Sequence, residues 1–278
     1  MDVEPVDEVL SATRDARPSM KSQPRTTPSV THDDVEAYER DGVVALRNVI
    51  SAEWIARMQA AVDRVIASPT AIGGTYGAFS HDMFLWRHDD DFRSFAMDSV
   101  LPSIARALMR TDRLNLFFDQ LLVKEPGLAA EIKWHQDLQT FPVSGTQAIS
   151  IWVPFDPASN ANGAVSYARG SHLSGTMFRD RNYREGSGPE VPPLEDLDVV
   201  SWELQPGDVV VHHPLTLHGS PGNATAANRR RALSVRYAGD DVRFQPKEPN
   251  FMSNNGIPLP NLVEGGYLDH EMFPALTV

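Results

Sequence analysis

Three short stretches hold the residues able to do chemistry. The first is Lys133-Trp134-His135-Gln136-Asp137, an imidazole and a carboxylate two residues apart. On extended backbone, residues i and i+2 point to the same side, so His135 and Asp137 can aim at one point. That serves a metal ion, and it equally serves a buried hydrogen-bonded pair. The second stretch, 211–220, reads Val-His-His-Pro-Leu-Thr-Leu-His-Gly-Ser and puts three of the chain's nine histidines within seven residues. The third is the run Arg229-Arg230-Arg231, which leads into the apolar segment Ala232–Ala238. Together they suggest a division of labour. Two imidazoles and one carboxylate can occupy one face of an octahedral iron(II) and leave three positions open. A bidentate 2-oxoacid takes two of these and dioxygen the third. The far carboxylate of such a co-substrate then needs a cation, and the planar fork of arginine matches it.

These groups need elements to position them. Residues 1–28 are polar and carry four prolines, which predicts a mobile arm; residues 29–278 are expected to form a single domain. Thr31 is a candidate N-cap, with Asp33 and Asp34 in the first helical turn, where the helix dipole favours negative charge. A turn and short strand follow in DGVVAL. Ser51 then opens a helix over AEWIARMQAAVDRVIA, with Ile55, Met58, Val62, Val65 and Ile66 on one stripe and Pro69 marking its end. Gly73, Gly74 and Gly77 predict a surface or lid loop around Tyr76; it is not a phosphate loop, because no GK[ST] follows. A further helix is expected near Ser99–Met109, with Pro102 in its first turn. From Leu114 the pattern changes to short apolar runs: LNLFFDQLLVKEP, AISIWVPF, DVVSWEL, DVVVHH and RALSVRYA. Pro-Gly and Asn-Gly turns separate them, which predicts a sandwich or barrel. Residues 174–198 read as a long insertion or lid. The expected architecture is mainly β with flanking helices. Its core is a double-stranded β-helix (jelly-roll or cupin-like) over about 114–240, behind a helical N-terminal third.

Within that frame the stretches DQLLVKEPG, WHQD, GTQAISIWVPFD, NGAVSYARGSH, GDVVVHHPLTLHGSPGN and RRRALSVRY, spanning about 119–237, resemble the phytanoyl-CoA dioxygenase (PhyH-like) family of iron(II)/2-oxoglutarate-dependent oxygenases. By that resemblance His135, Asp137 and His218 are the metal ligands. The 2-oxoglutarate carboxylate should meet an arginine eleven or twelve residues after the distal histidine. Alignment on the strand RRALS selects Arg230 first and Arg229 second, and strand parity puts Arg230, Ala232 and Ser234 on one face. Ser220 matches a serine that helps hold the same carboxylate, and Trp152 an aromatic beside the 2-oxoacid. Gln120 and Lys124 share a strand face and are expected to reach it too. Related halogenases replace the carboxylate ligand with a small residue; Asp137 is present, so hydroxylation or a related oxidation is implied. The implied cofactors are Fe(II), 2-oxoglutarate and O2, and the implied products of the co-substrate are succinate and CO2.

Several residues carry a plainer expectation. His212 and His213 read as strand residues beside the site, His172 as a loop residue bracing it, and Trp134 as packing. The segment around His81 and His88 is either polar surface or the substrate mouth, with Phe84, Trp86 and Arg87 as lining. Asp89–Asp91 reads as a helix start or a solvated loop. The remaining possibilities are a cupin-type metal enzyme that uses no 2-oxoacid and a catalytically silent jelly-roll binding module. A net charge of −12 argues against a nucleic-acid partner; the resemblance implies a small-molecule substrate, natural-product or lipid-like. The chain has no cysteine, which excludes thiolate metal sites, thiol nucleophiles and disulfides and fits a reducing cytoplasm. No apolar run is long enough for a membrane span.

Overall fold

Alternation along the strands decides the architecture. In the computed structural model, β7 (Ala148–Pro154) and β12 (Arg230–Ala238) pair antiparallel at the centre of the largest sheet. Their odd-numbered residues Ile149, Ile151, Val153, Leu233, Val235 and Tyr237 join the main apolar core. That core is closed by helices α2 (Ala52–Ala67), α3 (Asp90–Asp98) and α4 (Leu101–Met109). The even-numbered residues turn the other way: Trp152 and Ala232 meet Tyr167 and Leu204 in a second, smaller core. One sheet thus buries both faces, one under helices and one under a second sheet, as a period of two requires.

The structure describes residues 30–76, 79–129, 131–179, 188–248 and 250–277; the expected arm 1–28 and Gly77 lie outside them. Helix α1 (His32–Asp41) begins at Thr31, whose hydroxyl accepts from the Asp34 N–H while Asp34 bonds back to the Thr31 N–H, a reciprocal capping box. Ser51 caps α2, and Asp89 caps α3. Strand β1 (Val43–Leu46) follows α1. Strands β2 (Gly74–Tyr76) and β3 (Phe79–Met83) come next, then β4 (Asn115–Lys124) after the helices. With β10 (Val209–His212) these make a seven-stranded sheet in the order β1-β10-β7-β12-β4-β3-β2. The facing sheet has the order β5-β11-β8-β9, formed by Ile132–His135, His218–Ser220, Ser166–Ala168 and Val199–Val200. A two-strand ribbon pairs β6 (Val143–Ser144) with β13 (Arg243–Phe244), and α5 (Phe251–Asn254) lies beyond it. The fold is the mainly-β, double-sheet jelly-roll arrangement that the sequence predicts.

Two expectations are corrected. The glycine-rich stretch read as a loop is part of a hairpin: Gly74, Thr75 and Tyr76 pair with His81, Ser80 and Phe79, and β3 continues against β4. The helical N-terminal third therefore supplies both edges of the large sheet. DVVSWEL is also less regular than its apolar pattern suggests. Only Val199–Val200 forms a strand, and Leu204 makes an isolated bridge to Ala158. No helix among the described residues is long and apolar enough to cross a membrane.

Candidate active site

Strands β5 and β11 pair with His135 opposite His218, which brings the two rings to a centroid separation of 4.2 Å. Strand β5 ends at His135, but Gln136 keeps extended backbone (φ −123, ψ 127) before a short 3-10 turn begins at Asp137. Asp137 therefore faces the same side as His135. Gln136 turns away and anchors the start of the 174–198 segment: its amide donates to the Thr176 and Leu215 carbonyls and accepts from the Phe178 N–H.

The histidines are oriented by their own backbones. His135 Nδ1 lies 2.8 Å from the Lys133 carbonyl, and His218 Nδ1 lies 2.9 Å from the Thr216 carbonyl. A carbonyl only accepts, so Nδ1 carries the proton and Nε2 keeps a free lone pair. Both Nε2 atoms lie 3.8 Å from Asp137 Oδ1. The three ligand atoms all fall within 4.8 Å of one another, so one small cation can sit among them. Burial, then the neighbouring His135 and His212, hold the His218 imidazole well below its ordinary range and so neutral. Burial alone would raise the Asp137 carboxyl. Arg236, His212 and His218 outweigh it and hold the group well below the usual carboxylate range. Two imidazole nitrogens and one anionic carboxylate are the donor set that a divalent first-row metal takes.

These groups sit midway along a cavity of about 320 Å³ between the two sheets. One end is lined by Ser220, Trp152, Ser234, Leu122 and Ile132. Behind this lining stand two buried cations. Lys124, fully buried, has Nζ 2.5 Å from Ser220 Oγ and also donates to the Pro221 carbonyl. Arg230, 1% exposed, donates from Nη1 to the Leu122 carbonyl, lies over the Trp152 ring, and has no partner for Nε. Burial, then the nearby Arg230, pulls the Lys124 ammonium down to about 7, and burial pulls the Arg230 guanidinium down to about 10. Buried cations with spare donors form a site that an anion would relieve. Gly163 makes room for it, since a Cβ there would press on the Lys124 side chain.

Strand parity separates the three arginines. Arg230 points inward. Arg229 points outward, pairing with Glu125 and Asp63, and Arg231 forms a two-pronged pair with Asp156. Arg229, the second choice for the co-substrate, is thus not brought to the site. Gln120 lines the cavity, but its Oε1 is taken by Arg236 Nη2. The other end of the cavity is walled by Phe118, Phe141 and Phe251, with Asn255, while Phe79 stands opposite Lys124 in the sheet register. The expected mouth residues Phe84, Trp86 and Arg87 are not in that wall. Phe84 stacks behind it on Phe118 and Phe251, Trp86 is buried, and Arg87 pairs with Glu271. His81 does line the cavity, and Asp89–Asp91 is the helix start. His172 and His213 brace the fold through the Glu39 and Thr146 carbonyls.

Sequence reasoning passed over Arg236, Ser150 and Tyr167. The signal was present for two of them: Arg236 continues the parity of Arg230, and Ser150 that of Trp152.

The comparisons with known proteins agree with this geometry. The chain is 25% identical over 268 residues to an ectoine dioxygenase of Sphingopyxis alaskensis, covering 84% of the chain and 85% of that protein. It is 29% identical over 170 residues to a probable phytanoyl-CoA dioxygenase of Caenorhabditis elegans, covering 54% of each; the chain thus spans about half the length of this relative. Among solved structures, the non-haem alpha-ketoglutarate-dependent epimerase SnoN from nogalamycin biosynthesis superposes with a TM-score of 0.72 at 25% identity. That match covers 88% of this chain and 98% of SnoN. The family model for phytanoyl-CoA dioxygenase (PhyH) matches residues 38–232. With that match covering most of the jelly roll and the cluster His135, Asp137 and His218, the chain belongs to the phytanoyl-CoA dioxygenase family.

Proposed function

We propose that the protein is an iron(II)- and 2-oxoglutarate-dependent oxygenase that oxidises a small organic substrate, in the simplest case by hydroxylation. One observation carries this reading: two histidine Nε2 atoms and one carboxylate oxygen converge in the cavity, and behind one end of it stand buried Lys124 and buried Arg230, whose Nε has no partner. His135, Asp137 and His218 would hold the iron. Arg230, Lys124 and Ser220 would take the far carboxylate of 2-oxoglutarate, with Trp152 beside it. Bound together, iron, 2-oxoglutarate and dioxygen supply the oxidising power, with succinate and carbon dioxide as by-products. The chain binds, orients and excludes water. Its aromatic wall favours a substrate with an apolar face, which suits a natural-product or lipid-like molecule. A cysteine-free chain needs no oxidising compartment, and the cytoplasm is the setting we propose.

A cupin-type enzyme without a 2-oxoacid would have no use for buried Arg230 and Lys124, and a silent binding module would have no use for the triad. Anaerobic titration with iron(II) and 2-oxoglutarate tests the reading. A weak visible charge-transfer band that is lost in His135→Ala supports it. Iron binding without such a band would favour the cupin-type alternative.

A further inference from the structure

One row of side chains crosses three neighbouring strands and ends on a single atom. In the sheet register, His212 of β10 stands opposite Ser150 of β7, and Ser150 stands opposite Arg236 of β12. All three are buried, and all three address Asp137 Oδ2. Ser150 Oγ donates to it at 3.0 Å, Arg236 Nε at 3.4 Å, and His212 Nε2 lies at 3.5 Å. The opposite oxygen, Oδ1, is the one that faces the Nε2 atoms of His135 and His218. The row is itself held in place. The Arg236 guanidinium lies 4.4 Å from the Phe118 ring centre and donates from Nη2 to Gln120. The His212 ring packs between Tyr167 and His218.

We propose that His212, Ser150 and Arg236 form a clamp that limits Asp137 to one-oxygen coordination of the metal, with Arg236 the positioning residue that also tunes its donor strength. The inference rests on the oxygenase reading. A carboxylate free to rotate can bind a cation through both oxygens. It would then take a second position on the metal, and the 2-oxoacid and dioxygen together need three. Occupying Oδ2 with two hydrogen-bond donors, Ser150 and Arg236, and closing it off with the His212 ring prevents that. A fixed positive charge on Oδ2 also draws electron density from Oδ1, so the bound metal is less electron-rich than with an unclamped carboxylate. The dependence runs both ways, because Asp137 is the only carboxylate paired with the Arg236 guanidinium among the described residues.

The test uses the full chain, with Co(II) alone and then iron(II) plus 2-oxoglutarate without oxygen. Ser150→Ala is expected to weaken Co(II) binding by about 10-fold or more, the usual range for losing a partner of a metal ligand. Arg236→Gln is expected to move the iron(II)–2-oxoglutarate charge-transfer band to longer wavelength, because the iron becomes more electron-rich. Arg236→Lys, which keeps the charge, should leave the band near its wild-type position; a merely structural role would not give this rescue. Wild-type Co(II) affinity in Ser150→Ala together with an unmoved band in Arg236→Gln would overturn the proposal. So would equal band shifts in the Gln and Lys variants. If Arg236→Gln does not fold, Ser150→Ala decides alone through Co(II) affinity. A wild-type protein that binds iron(II) but shows no band fails the oxygenase reading, whereas the Co(II) comparison still reports on the clamp.

Discussion

At the scale of single residues, the site turns on charges held where water cannot reach them. Arg230 and Arg229 are neighbours in sequence and opposites in environment, one buried with a spare donor and one paired on the surface. Truncating a buried group that pairs with a ligand charge costs about 2 kcal/mol or more. Arg230→Ala should therefore weaken 2-oxoglutarate binding by about 30-fold or more, read by anaerobic calorimetry. An exposed ion pair contributes about 1 kcal/mol at most, so Arg229→Ala should change the affinity less than about fivefold. Equal effects would mean that the outward arginine reaches the co-substrate after all. Lys124 adds a pH dependence. Burial, then the nearby Arg230, lowers its ammonium to about 7, so the free site loses this charge as pH rises through that value. A bound carboxylate favours the charged form, and binding above that pH must take up a proton. The 2-oxoglutarate affinity should fall as pH rises above 7, by up to about tenfold per unit. Lys124→Met should bind more weakly and with a flatter profile.

At the scale of elements, period-two alternation explains the placement of nearly every site residue, and β4 shows both of its faces at work. Gln120, Leu122 and Lys124 turn to the cavity side, while Asp119 turns to the helical side. There Asp119 accepts the Trp86 N–H and so fixes the turn that leads into α3. Burial raises the Asp119 carboxyl to about 7, against the opposing effect of that backbone bond. The folded protein then holds a proton that the unfolded chain releases near pH 4. Between about pH 4 and about pH 7 the folded state binds more protons, so this group's contribution makes stability fall as pH rises, and the full cost is present above pH 7. Asp119→Asn keeps the acceptor without the charge. It should raise the melting temperature at pH 8 and leave it nearly unchanged at pH 4; destabilisation at pH 8 would show that the ionised carboxylate is needed. Ser51→Ala, which removes the cap of α2, should cost about 1 kcal/mol at either pH.

For the whole molecule, one cavity between two sheets is lined by polar, aromatic and His-Asp-His groups, and residues from eight strands, the turn at 137–141 and α5 must close correctly to form it. The main core runs without a break from the helices through the large sheet to the C-terminal residues Leu268 and Phe273. We therefore expect residues 29–278 to melt as one cooperative unit. Ligands that bind only the folded state should move that transition as a whole. With Mn(II) and 2-oxoglutarate each at about a hundredfold excess over its dissociation constant, linkage predicts about 2.7 kcal/mol per ligand and about 5 kcal/mol together, or about 10–20 °C for a domain of this size. His135→Ala should abolish the rise. A second, unresponsive transition in calorimetry would instead mean that the helical layer folds separately.

The sequence by itself determined the ligand candidates, the strand runs of the core, the helix starts at Thr31 and Ser51, and the inward choice of Arg230. These rest on local physics: side-chain period, capping chemistry and turn residues act over a few positions and leave their pattern in the chain. Tertiary structure alone decided which residues meet. The strand pair Gly74–Tyr76 and Phe79–Met83 is too short and glycine-rich to announce itself, and it joins the sheet because β4 offers Phe79–Met83 an edge. The clamp on Asp137 draws on residues 150, 212 and 236, whose sequence separations carry no period. The mouth could not be placed from Phe84, Trp86 and Arg87 either. The left-handed backbone at Phe84 ends the alternation of β3, after which these side chains pack behind the cavity wall or reach the surface. Pairing across strands is fixed by register and by burial on both faces at once, which are properties of the folded sheet and not of any one segment.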